Sequence, residues 1–132
     1  LSFAESNLSE EDMEPRLKLD AEIQLNDINS RFMRFLELLG PYGPGNMRPK
    51  FAARNLRVVG NPRIIGNGNH IRFRVKQDQT SFPAIGFNLS KHYEDLINGS
   101  SVDLAFVVEV NEWRGKSNIQ LNLKDIKQAN SK

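Results

Sequence analysis

Hydrophobic and polar positions follow two different periods along the chain, separated by a stretch rich in glycine and proline. Residues 17–23 alternate between apolar and polar side chains, which predicts a half-buried strand. Residues 27–39 repeat apolar side chains at helical spacing, with Asn26 as the expected N-cap, which predicts an amphipathic helix. Gly40 and Pro41 should end this helix, glycine as a left-handed cap and proline because it cannot continue the helix.

After the Gly/Pro bridge, residues 40–50, the period changes to two. The first segment, residues 51–66, is long and is interrupted at residues 60–62, Gly-Asn-Pro, which predicts a bulge or a sharp bend. The further segments are strands at 70–76, 82–87, 102–113 and 118–127, with a short helix at 90–99. This order of strands and helix is typical of the oligonucleotide/oligosaccharide-binding (OB) barrel. The predicted fold is therefore mainly β with α, a five-stranded OB barrel preceded by a strand and a helix.

The same pattern predicts the domain organisation. Residues 1–46 should be the tail of a preceding domain plus a linker, residues 51–127 the OB domain, and residues 128–132 a frayed end. Glycine and proline restrict the exit of the chain from the helix, so the bridge is predicted to be a stiff hinge. The simpler alternative is that the bridge only ends a helix and starts a barrel. The predicted hinge residues are Gly40, Pro41, Gly43, Pro44 and Gly45.

Composition excludes several classes of function. The 132-residue chain has no cysteine, which removes disulfides, thiolate metal sites and cysteine nucleophiles and fits a reducing compartment. No apolar run approaches the roughly 18–20 residues of a membrane-spanning helix, so we expect a cytoplasmic protein with no membrane partner. The acidic start without methionine is interpreted as a cut inside a longer protein.

Charge is distributed unevenly along the chain. Residues 1–30 carry eight acids and two bases, a net charge of −6, whereas residues 31–132 carry sixteen bases and eight acids, a net charge of +8. A basic body with an acidic leader indicates a polyanionic partner, although an ordinary basic surface has the same totals.

The strand HIRFRVK, residues 70–76, carries the strongest chemical signal. Because strand side chains alternate between two faces, its polar residues share one side. These residues are His70, Arg72, Arg74 and Lys76. The second strand of an OB barrel belongs to its usual oligonucleotide face, where cations can follow a phosphodiester backbone. The alternative is a solvated strand whose polar side happens to be basic.

The segment between the last two strands, residues 111–118, is the second candidate. It holds the only tryptophan, Trp113, beside Arg114 and Lys116. An indole can stack on a base while neighbouring cations hold phosphates, but Trp113 can equally close the end of the barrel. Lys124 on the last strand completes the predicted nucleic-acid-binding set. No nucleophile–base pair and no metal-ligand spacing is evident, so we expect no catalytic residue and no cofactor in this chain.

Four segments carry a resemblance to a known family. They read LKLDAEIQLNDINSRFMRFLELLGPYGPGNMRPKF, HIRFRVK, AIGF and VDLAFVVEVNEWRGKSNIQLNLKDIK. These segments resemble the C-terminal part of RecJ, the bacterial single-stranded-DNA-specific 5′→3′ exonuclease. Tyr42 stands where that family commonly has phenylalanine.

The resemblance implies an OB domain that helps enclose single-stranded DNA for catalytic domains that use divalent manganese or magnesium in DNA recombination and repair. The family's Asp-His-His and Gly-Gly-His motifs are absent from this sequence, so no catalytic or metal residue is carried over. The DNA role maps onto Arg72, Arg74 and Lys76. The alternative function is a scaffolding barrel that docks single-stranded-DNA-binding protein or braces the catalytic domains.

Overall fold

The computed structural model describes residues 19–98 and 101–129. The strands are β1 (Ala21–Glu22), β2 (Phe51–Ile65), β3 (His70–Gln77), β4 (Thr80–Gly86), β5 (Val102–Trp113) and β6 (Lys116–Gln128). The helices are α1 (Ser30–Leu39) and α2 (Tyr93–Asn98), and 3-10 turns occupy Leu25–Asp27 and Ser90–His92. Within the described ranges, no helix has the length and apolar character needed to cross a membrane. The acidic leader before residue 19 and most of the predicted frayed end lie outside these ranges.

Strands β2 to β6 form a closed barrel. The strand order is β1-β2-β3-β4-β6-β5, and an additional pairing of β2 with β5 closes the sheet on itself. Neighbouring barrel strands are antiparallel except β4 and β6, which pair in parallel over only two residue pairs, Ala84–Leu121 and Ile85–Asn122. Helix α2 connects β4 to β5. The structure therefore confirms the OB barrel predicted from the sequence, with its helix between the third and the fourth barrel strands.

The long strand β2 belongs to both seams of the barrel. Residues 51–56 pair with β5, and residues 57–65 pair with β3. The register shifts once in each half, between Ala53 and Leu56 and again between Val59 and Arg63. Such irregularities bend a strand, which lets β2 turn from one neighbour to the other. The second shift confirms the bend predicted at residues 60–62.

Apolar side chains from all five barrel strands fill the interior. The fully buried members include Leu56, Ile71, Val75, Leu104, Phe106 and Leu121. Burial of a side chain of this size stabilises a protein by about 1.5–3 kcal/mol relative to exposure. This core fixes which faces of the strands point outward.

A buried carboxylate secures the first bend of β2. Asp103 of β5 is only 4% exposed. Its Oδ1 accepts a hydrogen bond of 2.9 Å from the backbone N–H of Asn55, a residue in the left-handed region with φ of 59°. Its Oδ2 lies 3.9 Å from Nη1 of Arg54. Because a buried charge is tolerated only when it is paired and hydrogen-bonded, these contacts join β2 to β5 at the closing seam.

The segment before the barrel packs onto it through one side-chain amide. The backbone N–H of buried Leu25 donates to Oε1 of Gln77 at 2.7 Å. Nε2 of the same Gln77 donates to the carbonyl of Arg54 at 3.0 Å. Gln77 therefore links the first 3-10 turn to β3 and β2. A strand was predicted over residues 17–23, whereas the described strand here is the two-residue β1, parallel to the start of β2.

Helix α1 begins later than the prediction of residues 27–39. Its N-cap is Asn29 and not Asn26, because Oδ1 of Asn29 accepts a 3.0 Å hydrogen bond from the N–H of Phe32. Phe32 also packs on Phe51 of β2, with ring centroids 5.2 Å apart. The capping side chain thus decides where the helix starts and the aromatic pair decides which face it turns to the barrel.

The end of α1 corrects a second detail. Gly40 was predicted to be a left-handed cap, but its φ of −75° and ψ of −177° are extended. The residue before a proline is disfavoured in the helical region, so Pro41 imposes this extended conformation. The helix therefore stops at Leu39 because of proline and not because of a left-handed glycine.

The Gly/Pro bridge is hydrogen-bonded to the C-terminus of α1. Nδ2 of Asn46 donates to the carbonyls of Leu39 at 3.0 Å and Pro41 at 2.7 Å. The hydroxyl of Tyr42 donates to the carbonyl of Leu36. The carbonyls of Leu36 and Leu39 belong to the last turn of α1, where the helix leaves carbonyl groups without partners. The bridge is thus locally well defined, and its role as a hinge between domains stays a prediction.

We expect Asp103→Ala to lower the free energy of unfolding by about 1–2 kcal/mol, because the N–H of Asn55 loses its acceptor in a part-buried hydrogen bond. Urea unfolding followed by circular dichroism measures this change. Glu94→Ala, at an exposed carboxylate on α2, is the control and should change stability by less than about 0.5 kcal/mol. Equal stability of the two variants would contradict the role given to Asp103.

Candidate nucleic-acid interface

Strand β3 separates its side chains in the way that the sequence predicted. Ile71, Phe73 and Val75 are buried in the barrel. The residues that follow each of them are exposed on the outer surface: Arg72, Arg74 and Lys76. The predicted cations therefore share one face, since successive strand residues point to opposite sides.

Two arginines of β2, which were not among the residues predicted from the sequence, also lie on this face. Arg57 lies directly opposite Lys76, and Arg63 lies directly opposite Arg72. Opposed residues of an antiparallel pair have their side chains on the same face, and both arginines are exposed. Alternation along β2 was the available signal, but the bend hides the register that pairs these arginines with β3. We call Arg57, Arg63, Arg72, Arg74 and Lys76 the cationic face.

The cationic face contains no balancing acid. Strands β2, β3 and β4 have no aspartate or glutamate. Within residues 19–98 and 101–129, none of the five cations forms an ion pair with a carboxylate. Arg74 donates from Nε to Oγ of Ser81 at 3.0 Å, a neutral partner. Like charges directly opposite each other destabilise a sheet, so the pairs Arg57–Lys76 and Arg63–Arg72 favour a bound polyanion.

An open groove of about 940 Å³ borders the cationic face. It forms because β4 and β6 pair over only two residue pairs and diverge before them. Arg72 and Arg74 line one side, and Phe82 and Pro83 of β4 lie between the two sides. The opposite side belongs to the β5–β6 arm, residues 109–120, and includes Asn111, Asn118 and Gln120. Ligand sites in proteins commonly measure roughly 300–1,000 Å³.

A second depression lies toward β2. It measures about 430 Å³ and is lined by Val59 and Arg63 together with Arg72, Arg74 and Pro83. The same two arginines of β3 thus border both depressions. A ligand on this surface can contact Arg72 and Arg74 from either side.

His70 takes part in local structure. Its Nδ1 accepts a hydrogen bond of 3.0 Å from the backbone N–H of Asn88. Its ring also packs against Phe87, with centroids 5.2 Å apart and an interplanar angle of 72°. These contacts tie the start of β3 to the turn after β4. The predicted DNA contact of His70 stays a prediction.

The other predicted residues do not line the groove. Arg114 and Lys116 lie at the exposed tip of the β5–β6 arm, and Lys124 is exposed further along β6. The side chain of Trp113 lies outside the described part of the structure, although its backbone pairs with Lys116. The structure therefore brings together the β3 cations and leaves Arg114, Lys116 and Lys124 outside the groove lining, and the roles of all of them stay predictions.

Among the residues that the structure describes, no group of three or more His, Asp or Glu side chains is placed to hold a metal ion.

A family model described as RecJ OB domain matches residues 19–125 of this chain. Two curated proteins named single-stranded-DNA-specific exonuclease RecJ are similar to it. The protein from Bacillus subtilis is 25% identical over 123 residues, which cover 93% of this chain and 16% of the relative. The protein from Haemophilus influenzae is 27% identical over 116 residues, which cover 86% of this chain and 20% of the relative. The chain therefore spans a fifth or less of the length of these relatives.

Solved structures of RecJ from Thermus thermophilus have a similar fold. The crystal structure in complex with Mn²⁺ matches with a TM-score of 0.61 and 24% identity, and covers 87% of this chain and 16% of that one. The structure in complex with Mg²⁺ also matches with a TM-score of 0.61, at 21% identity, and covers 87% and 17% of the two chains.

The repulsion within the cationic face predicts how salt changes stability. Because salt screens like charges, the free energy of unfolding should rise by about 0.5–1 kcal/mol between about 0.05 and about 0.5 M NaCl. Arg57→Gln/Arg63→Gln removes one cation from each opposed pair and should lose most of this rise. Urea unfolding at both salt concentrations measures it. Arg31→Gln, at an exposed arginine of α1, is the control, and an equal salt response of the two variants would refute the repulsion.

Proposed function

Because the chain belongs to the RecJ OB domain family, we propose that it binds single-stranded DNA through the cationic face and the adjoining groove. It holds the substrate strand for the catalytic domains of a longer 5′→3′ single-strand-specific exonuclease that acts in DNA recombination and repair. We assign to that parent enzyme a cytoplasmic location in a bacterium and a divalent manganese or magnesium in its catalytic domains.

The cationic face carries this proposal. Its five cations lie on the paired strands β2 and β3, and neither these strands nor the adjoining β4 contains an acid. Arginine and lysine neutralise phosphates and release the counterions that surround a nucleic acid, which drives binding without regard to base sequence. An exonuclease domain needs this sequence-independent hold, because the strand must advance through the site after each cleavage.

The second candidate function is a scaffolding barrel that docks an acidic protein segment, such as the tail of single-stranded-DNA-binding protein. A cationic surface attracts an acidic peptide and a phosphodiester alike. The uncharged amide side chains of the groove match the mixed donors and acceptors of bases better than carboxylates, and so favour DNA. Competition between an acidic peptide and an oligonucleotide for the cationic face separates the two functions.

We further propose that the Gly/Pro bridge keeps the barrel in line with the preceding part of the parent enzyme. The hydrogen bonds of Asn46 fix its beginning to α1. At its end, the N–H of Lys50 donates to Oδ2 of Asp20 at 2.8 Å, and the N–H of Asp20 donates to the carbonyl of Lys50 at 2.7 Å. Because the bridge is hydrogen-bonded at both ends, it should restrict rotation of the barrel relative to the segment before it.

In the full-length parent exonuclease, Gly-Ser residues inserted within residues 43–45 should reduce processivity more than the rate of the first cleavage, since a flexible linker no longer keeps the barrel aligned. The length distribution of products in single-encounter reactions measures processivity. Gly43→Ala is the control, because an added Cβ there meets no atom within 4 Å. Unchanged processivity of the insertion variant would reject the positioning role.

The DNA-binding proposal is tested by fluorescence anisotropy of a labelled oligo-dT, with a matched duplex as the control ligand. We expect tighter binding of the single strand, with log K falling against log salt by about 0.7 per phosphate contact. Arg72→Ala/Arg74→Ala should weaken binding at least about tenfold and lower the slope by about 1.4, the share of two phosphate contacts. Arg31→Ala should leave the affinity and the salt slope unchanged. Absence of binding by the folded chain at low salt would overturn the proposal and favour a protein partner.

A further inference from the structure

The two sides of the groove differ in chemistry. Arg72 and Arg74 form a charged side, whereas Asn111, Asn118 and Gln120 of the β5–β6 arm line the other. Asn111 and Asn118 are direct cross-strand partners. Gln120 lies two positions after Asn118 on β6, so the three side chains occupy the same face of the arm. We call these three residues the amide wall.

The side-chain amides of the amide wall are available for hydrogen bonding to a ligand. Across residues 19–98 and 101–129, no side chain of the amide wall makes a hydrogen bond. The next residue on this face of β6, Asn122, is different, because its Nδ2 donates to Oε2 of Glu109 at 3.1 Å. Each primary amide offers two N–H donors and a carbonyl acceptor. The wall therefore presents donors and acceptors side by side.

The acids of the arm are directed to partners other than the groove. Glu109 accepts from Asn122, and Glu112 accepts from the hydroxyl of Ser117 at 3.4 Å. Neither glutamate is among the residues that line the groove. Glu109 lies on the same face as the amide wall, directly opposite Gln120. Its carboxylate is engaged by Asn122 and lies beyond the groove lining, so a negatively charged strand in the groove meets Arg72 and Arg74 and the three amides first.

We propose that the amide wall binds the base edges of a single strand whose phosphates lie along Arg72 and Arg74. This inference rests on the proposed function and states where selectivity for single strands arises. Phosphates offer only acceptors and suit guanidinium groups, whereas base edges mix donors and acceptors and suit the amides of Asn and Gln. In a duplex the Watson–Crick edges are already paired. Only an unpaired strand can use both sides of the groove at once.

The two sides therefore make different contributions to binding. The charged side supplies affinity that depends on salt and is shared by any nucleic acid. The amide wall is uncharged, so its contribution is insensitive to salt and requires accessible bases. The consequence is that the two contributions can be removed separately by mutation.

Two fluorescent probes of equal length test the inference: an oligo-dT, and an oligomer in which the central nucleotides are abasic but the phosphates are kept. Asn118→Ala/Gln120→Ala should weaken oligo-dT binding about five- to twentyfold, leave the abasic probe unchanged and keep the salt slope. Arg72→Ala/Arg74→Ala should weaken both probes equally. Gln128→Ala removes an exposed amide of β6 outside the groove. It is the control and should leave the affinity for both probes unchanged. Asn118→Ala alone is a milder variant with the same expected pattern.

The outcomes separate the inference from the proposed function. One result refutes base recognition by the amide wall and leaves DNA binding in place. In that result the wild-type protein binds both probes, and the amide variants either keep full affinity or lose affinity for both probes equally. Wild-type protein that binds neither probe refutes the proposed function and the inference together. Circular dichroism of each variant shows that the compared proteins are folded.

Discussion

The dual pairing of β2 is the constraint on which the rest of the structure depends. One strand of 15 residues must join β5 at its beginning and β3 at its end. A straight strand cannot lie along both seams, so the barrel closes only because β2 bends. Asp103 stabilises the first bend from β5, and Gln77 connects the same region to β3 and to the segment before the barrel. The first bend of β2 is thus held by polar contacts from two neighbouring strands.

The charge density of the outer surface follows from this closure. The second half of β2 must follow β3 to complete the barrel, and it brings its arginines opposite the cations of that strand. Closure of the barrel therefore places like charges opposite each other on its outer surface. A bound polyanion relieves the repulsion, so the groove side of the barrel would be stabilised by the ligand that we propose for it.

Local patterns predicted much of the fold and part of the site. Alternation in HIRFRVK was enough to place Arg72, Arg74 and Lys76 outside, because the buried side of β3 is uniformly apolar. The contributions of Arg57 and of Asn118 depend on pairing between separate strands, which a local pattern does not contain. The two corrections at α1 also come from specific contacts, the side chain of Asn29 at its start and Pro41 at its end. Periodicity indicates that a helix exists, whereas such contacts decide its limits.

Pro83 has a consequence for the width of the groove. It lies one residue before Ala84, where pairing of β4 with β6 begins. Proline has no backbone N–H, so the ladder cannot gain a hydrogen bond from this residue by extending toward the β5–β6 arm. Side-chain motion cannot supply the missing donor. The tertiary amide nitrogen of Pro83 thus removes one donor at the point where the β4–β6 ladder would have to extend to narrow the groove, so the backbone itself opposes closure there.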